Sequence, residues 1–481
     1  MSPRCEIAMI SGGKGSLPAR SLVSVPKEWT LFIDHINTLT TGGAAVAARR
    51  LHCGLLQAGI GSRLWYSPQA SVPLAVPRMQ PVPWPLPDGS IVQRCSRLAG
   101  QLATQLRLRF LRSYFRGGRR KKSGGFLGVR QPVQTPFASE IFDGDIVHFH
   151  WVGRLIDFRS FFQNMPTDRP LVWSLHDMNP MTGGCYHAAD CDGFTRMCGE
   201  CPILGRPGPR DLSYQELAIK RAAFRGRPIF VIAPSYWMAS MARKSSLFSD
   251  CRIKVIRNPI ETKEFFPENK REARKKLGLP EEGICLLYAA ESVEVSEKGI
   301  QEYLAVLSQL SKKHAVFGLA FGRGQVAKQV EGVAIHSLGF LGSASQLRTA
   351  YSAADIFVMP SHAETISQTT VEAFACRTPA VAFEVGGVPE LVKDGETGFL
   401  ARYRDVGHMA ERVAWLIDHP DARLEMGQRG LELVKSEFEA AGQIASCIDY
   451  YSEILQSTVR SVSERSIESA SLRESREMET R

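Results

Sequence analysis

Short apolar runs, each followed by a stretch of helical composition, recur along the whole chain and leave few folds open. In the first half they are Trp29–Asp34, Arg63–Tyr66, Asp145–Trp151, Pro170–Asp177 and Pro228–Ser235. In the second half they are Ile284–Ala290, Val316–Phe321, Val333–Leu338, Asp355–Met359 and Pro379–Phe383. These runs are continuous and rich in β-branched and aromatic side chains, the pattern of strands buried on both faces. Strands that alternate with helices build open parallel sheets with helices on both sides. Two such sets predict an α/β chain of two Rossmann-like, doubly wound domains with a cleft between them. The length of 481 residues, too great for one ordinary core, agrees with that division.

The joint is expected near 240–255, with domains over 28–245 and 250–435. A last helical segment over 436–456 is expected to cross back to the first domain. Residues 68–93 are proline-rich and resist helix formation. Met1–Lys27 has no apolar core followed by a cleavage site and is read as a disordered leader. The Ser- and charge-rich stretch 457–481 is read as a disordered tail. No apolar run approaches the roughly 20 residues that span a bilayer. A cytoplasmic protein is the expectation.

Two glutamates eight positions apart draw attention to one loop. Glu364 and Glu372 lie in Pro360-Ser361-His362-Ala363-Glu364-Thr365-Ile366-Ser367-Gln368-Thr369-Thr370-Val371-Glu372. The strand before and the helical composition after put Glu364 in a strand-to-helix loop and Glu372 about two turns into the helix. A helix start offers unpaired N–H groups and partial positive charge, a ready anion site. Two carboxylates framing such a site suit a ligand with both hydroxyl and phosphate groups, such as a nucleotide sugar. Taken alone, the spacing also fits a solvated loop acid and a helix-surface acid.

Downstream come Pro379-Ala380-Val381-Ala382-Phe383, then Val385-Gly386-Gly387-Val388-Pro389-Glu390, then Thr397-Gly398-Phe399-Leu400. In this order the chain resembles the retaining glycosyltransferases of family 4, which have the GT-B fold. Their pattern is E-x7-E, a G-x-P-V strand, a G-G-x-x-E loop and a final G-x-L, over about forty residues. Arg377-Thr378-Pro379-Ala380 departs from the usual Gly-x-Pro-Val. The resemblance implies that Glu364 contacts the transferred sugar and Glu372 the ribose hydroxyls. It implies that Lys298, in Lys298-Gly299, meets the donor diphosphate, and that His176 lies against the sugar. Backbone N–H groups of Ile366, Ser367, Gln368 and Thr369, and those around Gly386 and Gly387, are expected to assist. The Gly42-Gly43 pair is a candidate for close backbone approach to a phosphate or acceptor, though a plain turn fits it as well. The family's G-R upstream of Lys-Gly is replaced by Ala289-Ala290-Glu291, and Arg323 is a candidate replacement cation. No D-x-D cluster stands near these loops, so no metal is expected in catalysis.

The reaction so implied is transfer of a sugar from a nucleotide-sugar donor to an acceptor hydroxyl, with retention. A nucleotide-sugar 2-epimerase of the same architecture and a non-catalytic nucleotide-sugar-binding subunit are the alternatives. The charge bears on the acceptor. The chain has net charge +10, yet residues 89–139 hold eleven Lys and Arg and no acid, from Arg94 to Arg130. The other 48 basic residues are balanced by 49 acids. Leu98, Leu102, Leu106 and Phe110 share one helical face there. A basic, partly amphipathic helix suits an anionic membrane surface, and equally a solvated helix packed on the first domain. No recognised nucleic-acid-binding fold accompanies the charge. With the resemblance, this points to a lipid-linked or oligosaccharide acceptor in surface-polysaccharide assembly, on the inner face of the membrane.

Of eleven cysteines, four cluster within 182–202: Cys185, Cys191, Cys198 and Cys201. Their C-x5-C-x6-C-x2-C spacing suits a structural zinc site, with His187 as a substitute ligand. Reduced thiols and disulfides are the other two readings.

Overall fold

The computed structural model describes residues 31–67, 77–81, 125–128, 139–205 and 207–458. The leader, the basic segment Arg94–Lys122 with its apolar stripe, and the tail from 459 lie outside the described residues.

Two seven-stranded sheets carry the molecule. The first consists of β1 (Phe32–Ile36), β2 (Gly61–Tyr66), β3 (Met79–Pro81), β4 (Ile146–Phe149), β5 (Leu171–Ser174), β6 (Ile229–Ala233) and β7 (Arg252–Val255). Their order is β3-β2-β1-β4-β5-β6-β7, with every neighbour parallel. The second consists of β8 (Ile284–Ser292), β9 (Val316–Arg323), β10 (Gln329–Val330), β11 (Val333–Ser337), β12 (Ile356–Met359), β13 (Ala380–Phe383) and β14 (Gly398–Ala401). Their order is β10-β11-β9-β8-β12-β13-β14, antiparallel only at the β10–β11 edge. Helices cover both faces of the second sheet, which is why two separate apolar clusters flank it. No helix among the described residues is long and apolar enough to cross a membrane.

The joint needs correcting. It was expected to leave the first domain by 245–250, but β7 still pairs with β6, so the first sheet runs to Val255. The cause is legible: Arg252-Ile253-Lys254-Val255 is a short, half-exposed edge strand with half its residues charged, and it carries little apolar signal. The strands β3, β10 and β14 also escaped the sequence pattern, being short or set among prolines.

After helix Pro420–Glu437 the chain turns at Phe438, and Glu439 pairs with Ile260. A final helix over 440–458 then lies on the first sheet, not the second. Its Ala440, Ile444, Cys447, Tyr450, Tyr451 and Ile454 share one cluster with Ile33, Leu51, Ile146, Val172 and Ile232. Gly54 lets helix Gly43–Gln57 cross it closely, since a Cβ there would stand 1.9 Å from Ile444 Cδ1. The Tyr451 hydroxyl bonds His148 Nδ1 at 2.7 Å in the buried interior.

The departure at Arg377 has a structural meaning. Helix Gln368–Ala375 ends at Cys376, and the next residue, Arg377, takes φ +65°. This is the position where left-handed backbone stops a helix and where glycine is free of Cβ strain. The family's glycine is therefore a helix stop, and arginine holds the same conformation here under strain. Arg377→Gly is expected to raise stability by up to about 1 kcal/mol. A denaturant midpoint below that of the parent would contradict this account.

Candidate functional site

The loop between β12 and helix Gln368–Ala375 is built from both sides by glycines. Gly299 follows the single turn Ser296–Lys298 with φ +78°, and a Cβ there would lie 2.0 Å from Pro360 O. Only glycine lets that turn ride on the end of β12, and the result is Lys298 Nζ at 2.6 Å from Glu364 Oε1. On the other side Gly386 has φ +53°, and a Cβ would stand 1.8 Å from Glu364 O. A Cβ on Gly387 would stand 2.1 Å from Thr365 O. The glutamate loop is thus clamped between two glycine turns at the carboxyl ends of the strands, where open α/β sheets bind ligands.

One expectation is corrected here. The Gly387 N–H donates to Glu364 O at 3.2 Å. It braces the glutamate loop and is not a spare donor for a diphosphate. The start of helix Gln368–Ala375 differs. Ser367 caps it, accepting from the Thr370 N–H, and the amides of Gln368 and Thr369 belong to the first turn that lacks intrahelical partners.

Glu372 is buried and already bonded across the cleft. Its Oε1 takes Arg50 Nη2 at 3.0 Å, from helix Gly43–Gln57 of the first domain, and its Oε2 takes the Tyr351 hydroxyl at 3.2 Å. Burial pushes its carboxyl up from the ordinary range, and Arg50 and Tyr351 oppose that shift. Gly42 stands at the first-domain side with φ +92°, and a Cβ there would be 2.6 Å from Glu291 Oε2. The Glu291 carboxylate thus stands beside Gly42, the candidate for close approach to a phosphate or acceptor, where a plain turn fitted as well. Gly43, the first helical residue, has open space beside it. Arg323 was the candidate replacement for the missing cation. It is exposed at the end of β9, with its guanidinium stacked on the Phe340 ring at 4.1 Å, the favoured geometry for a planar cation beside an exposed aromatic.

The first domain contributes a row of imidazoles. His148 and His150 share a face of β4, with stacked rings 4.3 Å apart. His35 Nδ1 is 3.0 Å from His150 Nε2, and His150 Nδ1 is 3.0 Å from His176 Nε2. His176 ends the row at the cleft, where its carbonyl accepts from Thr365 Oγ1 at 3.2 Å. Burial holds the row neutral, taking His148 down to about 3 and His176 to about 4. Asp177, next in the chain, is pushed up to about 6 by burial. His187 is half-buried and lowered to about 4, first by burial, with Glu364, Lys298 and Glu297 as the charges it senses on the donor side.

Glu390, the acid of the G-G-x-x-E loop, reaches into the first domain. Its carboxylate accepts from the amides of Tyr236 and Trp237 at 2.9 and 2.7 Å, capping helix Tyr236–Lys244, and pairs with Arg257 at 2.5 Å. Arg50, Tyr351 and Glu390 are the contributors that sequence reasoning missed, and His187 was read there only as a substitute metal ligand. Only Glu390 lay in a recognised motif. An open cavity of ≈ 520 Å³ between helices Phe158–Asn164 and Leu212–Phe224 holds none of these groups.

The family model for glycosyl transferases group 1 matches residues 269–432. Over that stretch the chain is similar to the group 1 glycosyltransferases. D-inositol 3-phosphate glycosyltransferase 2 of Catenulispora acidiphila is 30% identical over 224 residues, 43% of this chain and 51% of that protein. N-acetyl-alpha-D-glucosaminyl L-malate synthase of Bacillus anthracis is 22% identical over 207 residues, 42% of this chain and 54% of the other. The chain thus spans about half the length of the curated relatives it matches. Sucrose-phosphate synthase from Thermosynechococcus elongatus superposes with TM-score 0.61 at 16% identity, covering 89% of this chain and 100% of that one. HepE from Anabaena, in complex with UDP and glucose, gives 0.59 at 15% identity, over 88% and 99%. The matched stretch therefore sits in a two-domain GT-B fold.

Two measurements check this electrostatic account. Breaking a buried ion pair from one side costs about 3–5 kcal/mol. Arg50→Met and Glu372→Gln are each expected to lose about that much, and the double variant to lose less than their sum. Strict additivity would remove the pair from the domain contact. The second concerns His148, whose folded pKa lies below the unfolded value of about 6.5. Between the two, the unfolded chain binds a proton that the folded chain does not. The contribution to stability is full above pH 6.5 and falls as pH drops, by about 1.4 kcal/mol per unit. In His148→Gln the difference in stability between pH 7.5 and 5.5 is expected to shrink by about 1.4 kcal/mol. An unchanged difference would show that His148 is charged in the folded state.

Proposed function

We propose that this chain transfers a sugar from a nucleotide-sugar donor to an acceptor hydroxyl with retention of anomeric configuration. The observation that carries the reading is the Lys298–Glu364 pair at 2.6 Å, set beside the open first turn of helix Gln368–Ala375, in the loop whose Thr365 hydroxyl donates to the His176 carbonyl. A compact ammonium and a helix start suit the negative charge that grows on a departing diphosphate. A carboxylate in the same loop suits the hydroxyls of the sugar. The bond from the anomeric carbon to the diphosphate oxygen breaks, and a bond to the acceptor oxygen forms on the same face. The acceptor proton passes to the leaving diphosphate oxygen. His176 lies at the sugar. Glu372 takes the ribose hydroxyls with its remaining acceptor capacity while Arg50 and Tyr351 hold it in place. No metal enters the chemistry.

The acceptor reading rests on the acid-free composition of 89–139, which suits a lipid-linked acceptor at an anionic surface on the cytoplasmic side, in surface-polysaccharide synthesis. Relatives named for inositol phosphate and malate acceptors make a small anionic polyol or hydroxy acid the other class to assay. Glu291, standing where the family has a cation, favours a second reading, a subunit that binds the nucleotide sugar without transferring it.

Thermal shift against UDP-, GDP- and dTDP-sugars identifies the donor, because a ligand of the folded state raises apparent stability. With that donor, Glu364→Gln is expected to lose a charge-assisted hydrogen bond, about 1.5–3 kcal/mol, and to slow transfer by roughly ten- to a hundredfold with folding intact. Lys298→Ala is expected to weaken donor binding and slow transfer together, with Lys298→Arg only partly restoring both. Wild-type turnover in both Glu364→Gln and Lys298→Ala would overturn the site. Donor binding with no turnover on any acceptor class would favour the binding subunit.

A further inference from the structure

The segment from Leu175 to Asp211 joins β5 to helix Leu212–Phe224 with only two single turns of helix, Asn179–Met181 and Gly193–Thr195. Loops of this length without structure of their own are uncommon in compact domains and need something to hold them. Its four cysteines line one small cavity of ≈ 20 Å³, together with Phe126, Gly183 and Phe194. All four are free thiols.

We propose that Cys185, Cys191, Cys198 and Cys201 hold one structural zinc ion, which fixes the loop that brings His187 to the donor side of the cleft. Three features beyond the thiols themselves support it. The Gly183 amide points at Cys198 Sγ at 3.2 Å, and the amides of Ile203 and Leu204 point at the Cys201 sulfur. A neutral thiol is a weak acceptor, whereas a metal-bound thiolate draws such N–H groups. The second feature is Lys220, whose side chain is fully buried beneath this loop. Its Nζ bonds the carbonyl oxygens of Asn179 and Thr182, the latter at 2.8 Å, with Glu216, Asp177 and the Cys185 and Cys198 sulfurs as the neighbouring charges or potential charges. Four thiolates on a divalent ion leave a net double negative charge, which a buried ammonium complements. The third is backbone shape. Gly184 has φ +140° and Gly199 φ +141°, and a Cβ would strike Phe126 Cζ at 2.6 Å or Pro209 O at 2.5 Å, so the chain winds tightly about the cavity.

The tight set of ligand atoms among the described residues is His35, His148 and His150, whose ring nitrogens lie within 4.8 Å of one another. Its nitrogens are largely committed to each other, to His176, to Tyr451 and to Ser174. The thiols have no such commitments to one another. They surround their cavity at wider spacing, and bonds of about 2.3 Å require the side chains, half-buried Cys191 among them, to rotate inward.

The test is elemental analysis of the full chain, purified with reductant and without chelator. About one zinc per chain is expected, released by a mercurial as the four thiols react. Cobalt exchanged into the site is expected to give the intense visible bands of tetrahedral thiolate coordination. Cys198→Ser and Cys201→Ser are expected to lose the metal and lower the melting temperature. Should those variants fail to fold, hydrogen exchange on chelator-treated wild type decides, with faster exchange expected across 177–204 and none added across 284–401. A folded, metal-free chain with four titratable thiols and unchanged melting temperature would overturn the proposal. So would a mass lowered by two hydrogens for each of two disulfides. None of these readouts depends on transfer, so the zinc and the glycosyl-transfer reading fail separately.

Discussion

Glu390 ties the two domains together at the point where it matters most. One carboxylate takes two amides at the start of helix Tyr236–Lys244 and the guanidinium of Arg257. A carboxylate at a helix start gains both hydrogen bonds and the favourable end of the helix dipole. Glu390 also belongs to the loop whose glycines press on Glu364 and Thr365. Any rotation of one domain against the other therefore pulls on the loop that holds the candidate sugar-contacting acid. Arg50–Glu372 and Thr365–His176 make two further connections across the same cleft. The domain arrangement and the site are in this sense one mechanical unit.

Both glutamates of the E-x7-E pair are already satisfied, Glu364 by Lys298 and Glu372 by Arg50 and Tyr351. A buried carboxylate without partners would cost several kcal/mol. An arriving sugar must therefore compete with Lys298 for Glu364, whereas Glu372 keeps acceptor capacity free while Arg50 and Tyr351 hold it. The imidazole row from His35 to His176 adds a different constraint. Three buried rings and a half-buried fourth at this spacing favour the uncharged form, so the first domain presents a neutral edge at the cleft opposite the cationic Lys298.

The fold was legible because buried parallel strands write themselves as unbroken apolar runs, and most strands of both sheets were found that way. β7 was lost because an edge strand with Arg252 and Lys254 does not look apolar. The second-domain half of the site was legible too, since Lys298-Gly299, Glu364 and Gly386-Gly387 all sit within sequence motifs. Their glycines now have reasons: Gly299 and Gly386 stand where a Cβ would strike the backbone of Pro360 and Glu364. The first-domain half was not legible. Arg50 lies 322 residues from Glu372, and no local pattern marks an ordinary helix arginine as its partner. The contact of Arg323 with the Phe340 ring was not legible for the same reason.

The final helix has a consequence for synthesis. Its Ile444, Tyr450 and Tyr451 complete the apolar cluster of the first sheet. Those residues leave the ribosome about 190 residues after β7, which at roughly 5–20 residues per second is a delay on the order of 10–40 s. Throughout that interval the first sheet has an uncovered apolar face, while the second domain, whose strands and helices end by Glu437, has everything it needs to close. The domain made first is thus the domain finished last. Chaperone demand and cotranslational misassembly in this chain should fall on the nascent N-terminal half.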